Sequence, residues 1–98
     1  DEVYKICERF ASRAFHTHCK NINYPEDQRN RRRAMGWEYG RYTSPVDRGD
    51  IDFRRIATIL RRANYRGDLC LENECLSRFP KDQHPVILAR EIAFLRSI

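Results

Sequence analysis

The 98 residues are enough for one domain and too few for two, and the proportions of hydrophobic residues (41%) and charged residues (34%) exclude an intrinsically disordered protein. No apolar run is long enough to cross a bilayer, and the acidic N-terminus lacks the features of a signal peptide, so we expect a cytoplasmic protein without a membrane partner. Nearly all of the formal net charge of +5 resides in residues 28–42, where five arginines accompany a single glutamate.

The first predicted element is a short amphipathic helix. Apolar side chains follow the helical spacing i, i+3, i+4 and i+7 at Val3, Ile6, Cys7 and Phe10. Because this pattern begins at the first residue, we interpret it as the end of a longer helix.

A strand is predicted over residues 13–19, and it carries much of the candidate chemistry. Side chains alternate between the two faces of a strand. One face therefore receives Phe15, Thr17 and Cys19, and the other receives His16, His18 and Lys20. We expect Phe15 and Cys19 to pack against helices and the second set to face a site.

Residues 20–50 are predicted to form a long irregular loop, because proline and glycine recur along them. The Arg-rich part, residues 28–42, can bind phosphate or nucleic acid, and its aromatic residues can stack on bases or wall a small-molecule pocket. A solvated surface segment is favoured over a nucleic-acid site, since charge runs are usually solvated.

A second helix is predicted to begin at Asp50 or Asp52, which are both suitable N-cap residues, and to end near Ala63. A turn follows, in which Gly67 is expected to adopt the left-handed conformation. After a further strand and a loop, Pro85 is expected to open the last helix, because proline suits the first helical turn.

The second strand is predicted over residues 68–72, and carboxylates follow its apolar residues. Glu72 and Glu74 share one parity, whereas Leu69 and Leu71 share the other. The order helix, strand, helix, strand, helix predicts an α/β fold with two parallel strands and flanking helices. Because the carboxyl ends of parallel strands meet at one edge, we expect Glu72 to lie near the polar residues of the first strand.

The four cysteines are not spaced as a metal-binding CxxC pair. Disulfides are not expected without a secretion signal. Cys7 and Cys19 are therefore interpreted as small apolar groups buried in the core.

Three segments resemble the sugar phosphate isomerase/epimerase family, whose members are xylose-isomerase-like TIM barrels. They are HTHCKN at residues 16–21, GDIDF at 49–53 and ANYRGDLCLE at 63–72. The resemblance implies that residues 1–98 form a C-terminal βαβα fragment of a TIM (β/α)8 barrel, with two parallel strands. By that comparison, the chain runs from the end of helix six, through strands seven and eight, to helix eight.

Members of this family usually bind one divalent metal ion through Glu, Asp, His and Glu side chains from four strands. The resemblance implies that His18 and Glu72 are metal ligands and that Glu72 is also catalytic. The ion would be Mn²⁺, Mg²⁺, Co²⁺ or Zn²⁺. The reaction would isomerise or epimerise a sugar or sugar phosphate by proton transfer through a metal-stabilised enediolate. His16, Lys20 and Arg48 are interpreted as substrate-binding residues.

The remaining metal ligands would come from strands that this chain lacks, so we expect the isolated chain to be inactive. Besides a sugar or sugar phosphate, its expected partners are the remaining barrel strands or other copies of itself, as a homo-oligomer. One departure from the family is Asn21, which stands where many members have Asp. The alternative function is a non-catalytic module that binds phosphate or nucleic acid through the Arg-rich loop 28–42.

Overall fold

The computed structural model describes residues 1–98 and has a mixed α/β fold, with one parallel and one antiparallel strand pair. The helices are α1 (Glu2–Phe10), α2 (Tyr39–Tyr42), α3 (Phe53–Arg62) and α4 (His84–Ser97). The strands are β1 (His18–Cys19), β2 (Asn21–Ile22), β3 (Thr43–Ser44) and β4 (Cys70–Leu71). None of the helices has the length and apolar character needed to cross a membrane.

Strands β1 and β4 pair in parallel, which confirms the predicted α/β class and strand direction. His18 is opposite Cys70, and Cys19 is opposite Leu71. The N–H of Glu72 extends the ladder by donating to the Cys19 carbonyl at 3.0 Å. The chain between the two strands contains α3, as parallel strands need a long crossover connection.

The first strand is shorter than predicted: a 3₁₀ turn occupies residues 11–13, and the strand itself begins only at His18. Phe15 therefore lies outside the ladder and has no neighbouring strand to set its direction. It is 92% exposed, so the prediction that it packs against the helices is wrong. Cys19 lies within the ladder and is 2% exposed, as predicted.

Residues 20–50 are not irregular throughout, so that prediction is wrong in part. Strands β2 and β3 pair antiparallel, with Asn21 opposite Ser44 and Ile22 opposite Thr43, and α2 immediately precedes β3. Strands of two residues and a helix of one turn are too short to produce a hydrophobic period. The sequence pattern therefore contains no signal for them.

The core is organised around α3. Its buried residues are Phe53, Ile56, Ala57, Ile59 and Leu60. Of the two candidate N-caps, Asp52 is the one used: its Oδ1 accepts hydrogen bonds from the backbone N–H groups of Arg54 and Arg55 at 2.9 and 3.3 Å. The predicted second helix is therefore present, and its start is fixed by the cap at Asp52.

Helix α1 is present as predicted, but most of its predicted apolar face lies outside the core. Tyr4 is buried instead, and its hydroxyl oxygen accepts a hydrogen bond from the Asp52 N–H at 2.9 Å. Val3, Ile6 and Phe10 are 36%, 54% and 47% exposed. They line an open groove of about 360 Å³, whose lining also includes both residues of β1.

In the turn after α3, the left-handed backbone conformation is adopted by a different residue from the one predicted. Asn64 has the left-handed conformation, with φ of 58°, and Gly67 does not. Asn64 is one of the residue types that tolerate this conformation. Gly67 is required for space instead, since a Cβ atom there would lie 2.6 Å from the Phe15 carbonyl oxygen.

The last helix, α4, begins at His84, so Pro85 lies in its first turn as predicted. Ile87, Glu91 and Leu95 are its buried residues, each four positions from the next. The Glu91 carboxylate on this buried face needs hydrogen-bond partners. Val46, just after β3, and Asn73, in the loop after β4, supply them.

Asn21 holds the turn before α3 against β2. Its side-chain nitrogen donates to the carbonyl oxygens of Val46 and Ile51 at 3.0 Å each, and its oxygen accepts from the Ile51 N–H at 3.0 Å. Asn21 is only 3% exposed. A Cβ atom at Gly49 would overlap the Asn21 side chain, which these hydrogen bonds prevent from moving aside.

Gly49→Ala is expected to lower the free energy of unfolding by about 2 kcal/mol, because the added methyl group must displace Asn21. Gly40→Ala is the matched control, since a Cβ atom at Gly40 meets nothing within 4 Å. It should leave stability within about 0.5 kcal/mol of the original chain. Urea denaturation measures both, and equal stability of the two variants would contradict the close contact at Gly49.

Candidate functional site

The carboxyl ends of β1 and β4 bring together a cluster of polar side chains. His18 Nδ1 lies 3.3 Å from Glu72 Oε2, and Lys20 Nζ also lies 3.3 Å from that oxygen. Lys20 Nζ is in addition 3.5 Å from Glu74 Oε1. The parallel register explains this proximity, because it aligns the ends of the two strands.

Glu72 Oε2 has an unusual environment. The atom is buried, although the side chain as a whole is 33% exposed. His18 and Lys20 contact this oxygen as ion-pair partners at 3.3 Å, but neither contact has full hydrogen-bond geometry. A carboxylate oxygen in this position is a suitable ligand for a cation, since oxygen donors are what hard divalent ions prefer.

The electrostatics of the cluster favour its charged groups. The contact with Glu72 is the main cause of a raised pKa at Lys20, and Glu74 contributes to it. The pKa of Glu74 is lowered, chiefly by the hydrogen bond that the Tyr39 hydroxyl donates to its carboxylate, and Lys20 adds to this effect. Burial, followed by the bond to Glu74, raises the pKa of Tyr39. The cluster is therefore an ordered arrangement of one ammonium, two carboxylates and a neutral phenol.

Tyr39 is expected to ionise at a higher pH than an ordinary tyrosine, whose pKa is about 10. Because its pKa is raised in the folded state, the stability that Tyr39 contributes is present below pH ~10 and is lost as the pH rises through the folded pKa. The lowered pKa of Glu74 has the opposite sign: its contribution is lost at acidic pH.

The raised pKa of Tyr39 is measured by following tyrosinate absorbance during a pH titration of the original chain and of the Tyr39→Phe variant. The difference between their titration curves isolates one of the five tyrosines. We expect this difference to appear only above the ordinary tyrosine pKa of about 10. A difference centred at about pH 10 would contradict the raised pKa of Tyr39.

Of the three predicted substrate-binding residues, His16 and Lys20 lie in the cluster. The rings of His16 and His18 meet edge to face, with centroids 5.1 Å apart. Arg48 lies apart, and its Nε is 3.8 Å from Asp47 Oδ2. It makes no ion pair with either glutamate of the cluster.

Sequence reasoning missed two supporting residues. Tyr39 lies in the segment predicted to be irregular, where no pattern singled it out. Glu91 is 1% exposed; its Oε1 accepts from the Val46 N–H at 2.8 Å, and its Oε2 accepts from Asn73 Nδ2 at 2.6 Å. The signal for Glu91 was present, because a charged residue on the apolar stripe of a helix points to a buried hydrogen-bonded role. Through Asn73, Glu91 positions the loop that follows Glu72.

Most arginines of the Arg-rich loop 28–42 are engaged within the chain. Arg29 pairs with Asp50 at 3.1 Å, and Arg41 pairs with Glu38 at 3.2 Å. The Arg33 guanidinium lies 3.8 Å from the centroid of the Tyr24 ring. The nearby aromatic residues also pack on one another, with ring centroids 5.3 to 6.1 Å apart among Tyr24, Trp37 and Tyr42.

The cysteines are all free thiols. Cys19 is buried, as predicted, and burial raises its pKa. Cys7 is only half-buried, so the prediction of a core position holds for it in part. Cys75 is fully buried, although no pattern in the sequence had distinguished it.

Comparisons with protein-family models, with curated proteins and with solved structures found no match to this chain. The resemblance to xylose-isomerase-like barrels therefore stays a prediction. The parallel strand pair and the polar cluster at its end are the features from which a function can be argued.

Proposed function

We propose that the chain is the C-terminal part of a divalent-metal-dependent sugar or sugar phosphate isomerase or epimerase, built on a TIM barrel. One observation carries the proposal: β1 and β4 pair in parallel, and His18 Nδ1 and Glu72 Oε2 lie 3.3 Å apart at their carboxyl ends. Barrel enzymes place their active sites at this end of the strands. The chain alone supplies only part of such a site and is inactive in this proposal.

The arrangement of elements supports a barrel origin. Helix α1 would be the end of helix six, β1 and β4 would be strands seven and eight, and α3 and α4 would be helices seven and eight. The apolar groove of about 360 Å³ is lined by α1, β1 and α3, and in this proposal it would receive the strand that precedes β1 in the barrel. A parallel sheet is normally covered on both faces, so a neighbouring strand there would complete the core.

The donor set fits a divalent ion. Glu72 Oε2 is a buried acceptor without a hydrogen-bond partner, and the His18 imidazole adjoins it. Two protein ligands leave a hard ion mostly hydrated, so a Glu and an Asp from other strands would complete the set. When bound, the ion supplies Lewis-acid polarisation of neighbouring sugar oxygens.

The residues of this chain would bind the sugar and move the proton. Glu72 would take the proton from the carbon beside the carbonyl group and, in isomerisation, return it to the neighbouring carbon on the same face. In epimerisation, a second acid from outside this chain would have to protonate the opposite face of the carbon. Lys20, which contacts Glu72 and Glu74, would donate a hydrogen bond to a substrate oxygen. His16 adjoins His18 and would contact the substrate from the same face.

A phosphate- or nucleic-acid-binding module has less support. Three of the five arginines in the Arg-rich loop 28–42 already contact groups of the chain. The aromatic rings that would stack on bases pack against one another. The free cationic groups in this loop are therefore fewer than the sequence alone suggested.

Reading the coding sequence upstream of Asp1 tests the proposal. We expect six further strand-and-helix repeats, with a Glu and an Asp at the carboxyl ends of two of the strands. A continuous upstream reading frame without such repeats, or an initiation codon immediately before Asp1, would contradict it.

A further inference from the structure

The paired strands carry a softer set of metal-ligating groups, which shares His18 with the donor set of the proposed function. One nitrogen from each of His16 and His18 and the sulfur of Cys70 all lie within 4.8 Å of one another. His18 and Cys70 are directly opposite in the parallel register, so their side chains project from the same face. His16 is two residues before His18 and shares its parity.

We propose that His16, His18 and Cys70 bind Zn²⁺. Imidazole nitrogen and thiolate sulfur are the ligands that zinc prefers, and Mg²⁺ and Mn²⁺ prefer oxygen. In a tetrahedral zinc site, such ligand atoms are about 3.3 to 3.6 Å apart, so the side chains need to close by about 1 Å. The two imidazoles are exposed and Cys70 is half-buried, which leaves the ion a path from solvent and a fourth position for water.

Glu72 gives this site the partner that zinc-bound histidines usually have. His18 Nδ1 faces Glu72 Oε2 at 3.3 Å, so a small rotation lets Nδ1–H donate to the carboxylate. That hydrogen bond leaves Nε2 as the free ligand atom and fixes the ring orientation. It also satisfies the buried oxygen that otherwise has no partner. Glu72 is thus a positioning residue here, not a zinc ligand.

Zinc binding would join β1 to β4 directly. The Cys70 thiol releases its proton to solvent and binds as the thiolate, so binding weakens as the pH falls. Because the ion binds the folded arrangement of three side chains, it also stabilises the fold. All three ligands belong to this chain, so the inference does not depend on the proposed barrel or its reaction.

Cobalt and zinc titrations of the reduced chain test the site. We expect Co²⁺ to give a thiolate-to-cobalt charge-transfer band that Zn²⁺ abolishes, and we expect saturating Zn²⁺, but not Mg²⁺, to raise the melting temperature by about 5 °C or more. Cys70→Ser should remove the band. Cys7→Ser, which changes a thiol outside the cluster, should keep it.

His16→Ala provides a second variant, since its side chain is exposed and its loss leaves the fold intact. We expect it to weaken Co²⁺ binding by at least about tenfold, and Glu72→Gln to weaken it by about 10- to 100-fold while the band persists. No band in the original chain, a band unchanged in Cys70→Ser, or unchanged affinity in His16→Ala would overturn the site. Zinc binding without sugar isomerisation by the parent enzyme would remove the proposed function and leave this inference standing.

Discussion

Replacing Glu72 by glutamine in the proposed complete barrel is expected to weaken Mn²⁺ binding by at least about 100-fold, which corresponds to about 2.7 kcal/mol. The substitution keeps the size of the side chain and removes its charge. Because Glu72 Oε2 is a buried oxygen without a hydrogen-bond partner, the loss of its charge removes the strongest cation ligand that this chain offers. Calorimetric titration with Mn²⁺ measures the change.

Two further variants make this result specific. His18→Ala should also weaken Mn²⁺ binding, by about tenfold or more, because it removes the neighbouring imidazole ligand. Glu74→Gln is the matched control: Glu74 also contacts Lys20, but it bonds to Tyr39 and is not a proposed ligand. Unchanged affinity in Glu72→Gln and His18→Ala, or an equal loss in Glu74→Gln, would contradict the assigned ligands.

Replacing Glu91 by alanine is expected to lower the free energy of unfolding by about 3 kcal/mol. The Val46 N–H and the Asn73 side-chain amide both donate to this carboxylate, at 2.8 and 2.6 Å. Alanine leaves these buried donors unpaired and opens a cavity in the face of α4 that packs in the core. Urea denaturation followed by circular dichroism measures the loss.

Glu91→Gln is expected to cost about 1 to 2 kcal/mol, which is less than the cost of alanine. Its amide oxygen can still accept from Val46, but its NH₂ group would meet the NH₂ group of Asn73. Asn73 is not free to rotate its amide, since its oxygen accepts from the Cys75 N–H at 2.8 Å.

Glu8→Ala, on the exposed side of α1, should change stability by no more than about 0.5 kcal/mol. If Glu91→Ala were as stable as this control, the hydrogen bonds of Glu91 would contribute nothing to folding.

The parts of the fold that the sequence predicted are those in which burial imposes a period. The helical character of α1 follows from the regular spacing of apolar residues. The parallel direction of β1 and β4 follows from the alternation of strands with helices. The proximity of His18 and Glu72 follows from that direction, because parallel strands end at the same edge.

The parts that could not be predicted depend on contacts between distant residues. Phe15 is exposed and lies between the 3₁₀ turn at residues 11–13 and β1, and no periodicity predicts that turn. On α1, Tyr4 is buried and its hydroxyl contacts the start of α3, whereas Ile6 is exposed. Tyr39 joins the cluster through a short helix in a segment that lacks any period.

Deuterium incorporation from D₂O into the sugar carbon beside the carbonyl group, followed by mass spectrometry, most directly tests the proposal that Glu72 moves a proton. The parent enzyme, loaded with Mn²⁺ and given a panel of ketoses and their phosphates, is expected to label at least one sugar. Glu72→Gln should lower that rate by at least about 100-fold, within the range expected when a general base is lost. No labelling of any sugar by the parent enzyme, or labelling by Glu72→Gln at the original rate, would contradict the proposal.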